Sequence, residues 1–402
     1  MSKNNHYNRL IIWLVGISFL LFQFFLQLSS GIVVGAIAHE QHFSALTAGL
    51  LSSAFYYVYT SLQIPVGILF DRYNTRSLLF INASICAIGC FVFAAGNHLS
   101  VLFLGRLIIG SGSAFAFIGM SHLLRQHFPM KKYAFMIGLS ETLGFILTVL
   151  GIIGMGAFIE HCSWRTFIRA AGFFGFMISF FCWYIIPNHK PEARHLTSYK
   201  HHLFLILKNK LTWVNGLFVC FEFSVITVFS AMWSVPFLQL KLNCSIETAS
   251  ALSSLILLGA GLSCPVFGML SMYFNRRKPL IHFSCISTAI LFVMLLYCPI
   301  YNLFFVASLL FLIGLFCGAY MLAYTIANEL GPTEALSTCT GFTNTLAMLS
   351  APLLQPLVGY FIDLFGKANV PPLESFQNAL LVIPIALVVA SLLSQQLPEK
   401  NY

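Results

Sequence analysis

Apolar residues in this chain gather in runs of about 20, broken by short polar or charged segments, and that is the length an α-helix needs to cross a hydrocarbon core. The pattern predicts twelve such helices, at roughly 10–36, 45–70, 77–97, 99–124, 133–158, 165–187, 211–238, 246–274, 279–297, 302–328, 336–365 and 375–397. One long polar stretch, Asn188 to Lys210, falls between the sixth and seventh. The expected organisation is therefore a six-helix half at 1–187, a linker at 188–210 and a second six-helix half at 211–402, an all-α integral membrane protein.

Composition agrees. Of 402 residues, 58% are hydrophobic and 8% charged, and the mean hydropathy is +0.86. A water-facing domain carries about 25% charged residues, so soluble enzymes, disordered regulators and secreted disulfide scaffolds are excluded. The net charge of +9 sits in short clusters between apolar runs, which points to anionic lipid headgroups and not to nucleic acid. Most of the eleven Cys lie inside apolar runs without a CxxC pair, as packing residues do. Leu10 to Ala38 is too long for a signal-peptide core and reads as a retained first helix.

The basic residues also give an orientation. Of 21 Lys and Arg, four (Arg165, Arg169, Lys241, Lys367) fall on one side and Arg106 within a span, leaving sixteen on the side of the termini. That bias predicts both termini in the cytoplasm. The linker carries His189, His195, His201 and His202, but adjacent His201 and His202 point in different directions and the other spacings are irregular, so no metal site is expected. Neither a Walker A sequence nor a G-x-S-x-G nucleophile motif occurs, and no cofactor is expected.

The halves echo one another. Pro65-Val66-Gly67-Ile68-Leu69-Phe70-Asp71-Arg72-Tyr73-Asn74-Thr75-Arg76 follows the second run, and Pro265-Val266-Phe267-Gly268 leading to Asn275-Arg276-Arg277 follows the eighth. Related halves meeting at a central site make a transporter architecture. These residues resemble the major facilitator superfamily, whose loop between helices 2 and 3 reads G-x-x-x-D-R-x-G-(R/K)-(R/K). Gly67, Asp71, Arg72 and Arg76 match, while Asn74 replaces the second Gly, with a left-handed turn expected there. Arg106 to Gly110 is similar to the family's Arg-x-x-x-Gly stretch, and Trp164-Arg165 to its entry into helix 6. The resemblance implies a major facilitator fold, a gating charge network at Gly67, Asp71, Arg72 and Arg76 with Arg125 as a partner of Asp71, and a cavity lined by helices 1, 4, 7 and 10. The Gly-x-x-x-Gly-Pro stretch of many antiporters is missing after Gly144, which tilts the reading toward uptake.

Three charges stand within the spans: Arg106, Glu141 and Glu222. Such groups persist in a bilayer when they line a cavity or find a partner. Arg106 suits an anionic substrate group, or else orders the bundle. Glu222, and less centrally Glu141, can load and release a proton, or else hydrogen-bond across helices. Gln23, Gln27, Tyr56, Tyr59, Trp233, Tyr320, Tyr324 and Asn344 complete the expected lining. The reading is a proton-coupled symporter for a small organic solute, a carboxylate or zwitterion, working as a monomer among membrane lipids in a bacterial inner membrane. The alternatives are a multidrug/proton antiporter and, from another class, a polytopic membrane enzyme or sensor.

Overall fold

The structure is a computed structural model that describes residues 3–128, 130–188, 199–274, 276–330, 336–367 and 371–399. Among them the only regular structure is helical: α1 (Lys3–Leu28), α2 (Ser30–Gln41), α3 (Ala45–Arg72), α4 (Thr75–Ala94), α5 (Leu99–His127), α6 (Met130–His161), α7 (Trp164–Ile185), α8 (Tyr199–Lys208), α9 (Lys210–Ser224), a π-helix (Val225–Trp233), α10 (Ser234–Leu242), α11 (Ile246–Phe274), α12 (Lys278–Tyr297), α13 (Leu303–Cys317), a 3₁₀ turn (Gly318–Met321), α14 (Leu322–Leu330), α15 (Leu336–Lys367), α16 (Pro372–Leu380) and α17 (Val382–Ser394). Ten described stretches are long and apolar enough to cross a membrane. The shorter apolar segment Leu139–Met155 of α6 and the 28-residue α3 bring the spans to the expected twelve.

Three runs that read as continuous are broken near their middles. Span 1 is interrupted at Ser29, between α1 and α2, where Ser29-Ser30-Gly31 offers hydroxyls that compete with helix bonds and a residue of low helix propensity. Span 7 widens into the π-helix over Val225-Ile226-Thr227-Val228, four β-branched residues that crowd an α-helix. Span 10 tightens into the 3₁₀ turn that starts at Gly318. Hydropathy cannot show such breaks, because each run stays apolar enough on average to read as one span.

The chain forms two compact units. One comprises Met1–Gln27, Ala54–Gly151 and His161–His195, and the other Leu28–Ser53, Ile152–Glu160 and Leu196–Tyr402. The units therefore cross the 188–210 linker boundary: the far ends of spans 1 and 5 and the start of span 2 pack with the second unit. In the first unit, Trp13, Ile17, Leu20, Phe24, Met120 and Leu124 form a core cluster between α1 and α5. Phe173, Phe180 and Tyr184 of α7 stay exposed, as residues facing lipid do.

The internal repeat runs deeper than the motif near Gly67. His42 and Asn243, 201 positions apart, both adopt left-handed φ (53° and 47°) and end the helices before them. Next come Ser44-x-x-Thr47 and Ser245-x-x-Thr248, in which each Ser Oγ accepts the Thr amide at 3.2 Å. Gly110 of α5 lies against the Phe55 carbonyl of α3, and Gly314 of α13 against the Ile256 carbonyl of α11, again at an offset of 201 between Phe55 and Ile256. In both places a Cβ would collide with backbone, so only Gly lets these helices approach.

Candidate functional site

In the first unit, the break in span 1 collects four of the expected residues. Gln23 Nε2 donates to Gln27 Oε1, and both side chains are buried. Tyr56 lies beside Gln27 and Arg106. Arg106 is 4% exposed and donates from a terminal nitrogen to the Leu26 carbonyl at 3.2 Å. Leu26 is in the last turn of α1, where carbonyls lack donors within their helix. The guanidinium also sits over the Phe55 ring at 5.4 Å and the Phe93 ring at 6.0 Å. Tyr59 stacks on Phe55 with ring centroids 5.4 Å apart. Arg106 thus contacts spans 1, 2 and 3 at once, and both bundle ordering and contact with an anion stand as proposals.

Glu141 is half-buried on the face of α6 that also carries Phe145 and Thr148, and it makes no hydrogen bond or ion pair among the described residues. Its neighbour Ser140 accepts from the Trp13 indole at 2.9 Å, which ties α6 to α1.

In the second unit, Glu222 is fully buried in α9 and accepts from Ser284 Oγ of α12 at 2.7 Å. Ser284 also contacts the Phe316 carbonyl of α13, and the Cys317 thiol donates to the Glu222 carbonyl at 3.5 Å. Asn215, seven residues before Glu222 on α9, donates to the Ala323 carbonyl of α14 at 2.9 Å. Tyr320 packs on Phe223 with ring centroids 4.7 Å apart and accepts from Cys264. Tyr324 donates to Asn344 Oδ1 at 2.8 Å. Trp233, at the end of the π-helix, is 2% exposed and meets the Phe376 ring at 6.0 Å. Among the described residues its indole N–H meets no acceptor, and Gln23 Oε1 and Glu222 Oε2 meet no donor. Buried polar atoms of this kind are rare in folded proteins and collect at functional sites.

At the loop after span 2, the expected left-handed Asn74 is corrected. Asn74 is extended (φ −64°, ψ 122°) and acts as the N-cap of α4, accepting from the Arg76 amide at 2.9 Å. A cap needs a short acceptor side chain, which Gly lacks. Asn74 also bonds to Asn188, and Arg76 sits over the Trp183 ring at 4.2 Å, so this end of α4 is tied to the end of α7. Gly67 is in α3 with open space where a Cβ would stand. The side chains of Asp71, Arg72 and Arg125, and the linker histidines, lie outside the described residues.

Sequence reasoning missed residues on α15. Gln355 Nε2 donates to the Thr227 carbonyl of the π-helix at 2.6 Å, and Thr227 Oγ1 lies 2.7 Å from Ser350 Oγ. Two prolines flank Gln355, at 352 and 356, which was the available signal of a helix with freed backbone groups.

An all-helical membrane protein with twelve spans, broken helices and buried polar clusters in both units is the architecture of a polytopic solute carrier. The chain belongs to the Major Facilitator Superfamily, whose profile matches residues 14–353 and 223–400. It is 24% identical over 190 residues to "Uncharacterized transporter YybO" of Bacillus subtilis, covering 47% of this chain and 43% of that protein. It is 28% identical over 166 residues to "Efflux pump mlcE" of Penicillium citrinum, covering 41% and 30%. The chain thus matches less than half the length of these relatives. A bacterial homologue of the human lysosomal transporter Spinster, in an inward-facing and unoccupied conformation, has the same fold with a TM-score of 0.79, 17% identity and 98% and 97% coverage. A D-xylose–proton symporter superposes with a TM-score of 0.74 at 14% identity, over 97% and 98% of the two chains.

Proposed function

We propose that this protein is a secondary transporter that moves a small organic solute across a bacterial inner membrane by alternating access, coupled to protons, with both termini cytoplasmic. One observation carries the reading: spans 1, 7 and 10 leave α-helical geometry beside the polar residues expected to line a cavity. Gln27 precedes the break at Ser29, Glu222 and Trp233 flank and end the π-helix, and Tyr320 lies inside the 3₁₀ turn. Discontinuous helices free backbone groups and mark the substrate sites of secondary transporters.

The aromatic and amide side chains suit a solute with apolar or aromatic parts. Arg106 is the residue that supports a carboxylate or zwitterion over a neutral solute, and the two buried acids, Glu222 and Glu141, are the candidates for carrying the proton. Efflux is the second reading, favoured by the names of relatives such as mlcE.

The test is reconstitution into liposomes. Thermal-shift screening of the purified protein against amino acids, peptides, carboxylates, sugars and drugs identifies ligands by the rise in apparent stability. Uptake of each hit is then measured with and without an imposed pH gradient. Gradient-driven accumulation is the expected result; equilibration that ignores the gradient removes proton coupling, and no flux of any ligand removes transport.

A further inference from the structure

One face of α15 forms a ladder with the start of α3. Gln355, Gly359 and Asp363 stand four residues apart on α15, and Ala45, Gly49 and Ser53 four apart on α3. They meet in antiparallel order. Ser53 Oγ lies 3.2 Å from both the Ala351 carbonyl and Gln355 Oε1. Gly49 abuts the Gln355 backbone, and Gly359 abuts the Ala45 carbonyl. At the end of the ladder both Asp363 oxygens are engaged: Oδ1 accepts from the Ala45 amide and Oδ2 from the Leu46 amide, each at 2.9 Å. These are the first two amides of α3, where the helix leaves N–H groups unpaired and its dipole favours a negative charge.

We propose that Asp363 is a positioning residue that latches the face of the transporter opposite its termini, and that releasing its two bonds to α3 is a required step in opening that face. The latch rests on the alternating-access reading. Alternating access needs the segment 45–53 to leave α15 in the opposite conformation, and the other rungs are the neutral Ser53 hydrogen bonds and the backbone approaches at Gly49 and Gly359. The Asp363 bonds are charge-assisted, so they contribute most of what separation must break. The ladder spans eight residues of helix, about 12 Å of depth, which makes it a plug and not a surface contact. Ala48, inside it, is 4% exposed.

The experiment places a reporter at that position. Ala48→Cys is labelled in proteoliposomes with a membrane-impermeant maleimide, and the rate is read by mass spectrometry on the peptide containing it, so that exposed Cys162 does not interfere. Adding Asp363→Asn is expected to raise the labelling rate about tenfold, or ~1.4 kcal/mol, while Asp363→Glu stays near the parent. Ala45→Pro deletes the Oδ1 partner at a first-turn position where Pro fits; it should speed labelling alone and add little to Asp363→Asn. A purely structural cap would lower the melting temperature and leave labelling unchanged, and that result overturns the proposal, as does full additivity of the two substitutions. If Asp363→Asn fails to fold, Ala45→Pro decides alone. If Ala48→Cys never labels in any variant, the alternating-access reading itself fails, an outcome distinct from failure of the latch.

Discussion

The Arg277 guanidinium grips the Glu329 carboxylate with both terminal nitrogens, each bond 2.7 Å long, at a site where the Arg side chain is 6% and the Glu side chain 16% exposed. Arg277 belongs to the second copy of the loop motif, after span 8, and Glu329 ends span 10. Glu399, near the C-terminus, accepts from the Arg277 amide at 2.8 Å and so caps the start of α12. The second half thus closes one end of its bundle with a charge network even though its motif copy lacks the acid found at Asp71.

Arg277→Ala is expected to destabilise the protein by about 1–3 kcal/mol, because it takes a bidentate, charge-assisted partner from the part-buried Glu329 carboxylate. Replacing both partners, Arg277→Met with Glu329→Leu, should cost less than the single change. Thermal unfolding of the purified variants checks this, and a larger loss in the double variant would refute it.

Glu222→Gln is expected to fold and bind ligand, to keep counterflow exchange, and to lose accumulation driven by a pH gradient. Ser284 has one hydroxyl hydrogen for two oxygen neighbours, Glu222 Oε1 and the Phe316 carbonyl. A protonated Glu222 supplies the missing hydrogen, and an amide can do the same. Normal gradient-driven accumulation in this variant transfers the coupling role to Glu141.

Arg106 is tested with a ligand pair. If the guanidinium meets a substrate carboxylate, Arg106→Ala weakens binding of the carboxylate by about 30-fold, ~2 kcal/mol, and spares the neutral amide analogue. If Arg106 only ties span 1 through the Leu26 carbonyl, Arg106→Ala and Arg106→Lys lower the melting temperature and affect both ligands equally. Titrations of each variant with each ligand separate the cases.

Gly110→Ala and Gly314→Ala should each destabilise by about 1–3 kcal/mol through overpacking, since the new methyl group meets backbone in both. Gly268→Ala is the control: nothing lies within 4 Å of its Cβ position, so it should be neutral or stabilising. Equal effects at all three positions would mean that helix propensity, not close approach, governs them.

Much of the candidate site was legible as a set of residue types. Gln23, Gln27, Tyr56 and Arg106 were expected as part of a larger lining, and they lie near one another at the end of α1. Glu222 and Asn215 stand seven residues apart on α9 and so share a helix face, yet they meet different partners, α12 for the first and α14 for the second. Helical periodicity assigns a face but not the neighbour opposite it. The repeat of Ser44-x-x-Thr47 in Ser245-x-x-Thr248 was present in the sequence and short enough to escape notice beside the longer motif.

The sequence by itself determined the twelve spans, because apolar length and scarcity of charge are local properties that a bilayer reads directly. It also determined the family, through residues such as Gly67 and the Arg106 to Gly110 stretch, whose spacing survives in one dimension. Only the tertiary structure decided which groups are engaged and which carry force. The Leu26 carbonyl needs Arg106 because span 1 breaks, the Thr227 carbonyl meets Gln355 in the π-helix, and Asp363 finds the amides of Ala45 and Leu46 more than 300 residues away. These pairings depend on where helix backbones are interrupted and which helices approach closely. Both are outcomes of packing the whole chain, and no single apolar run contains them.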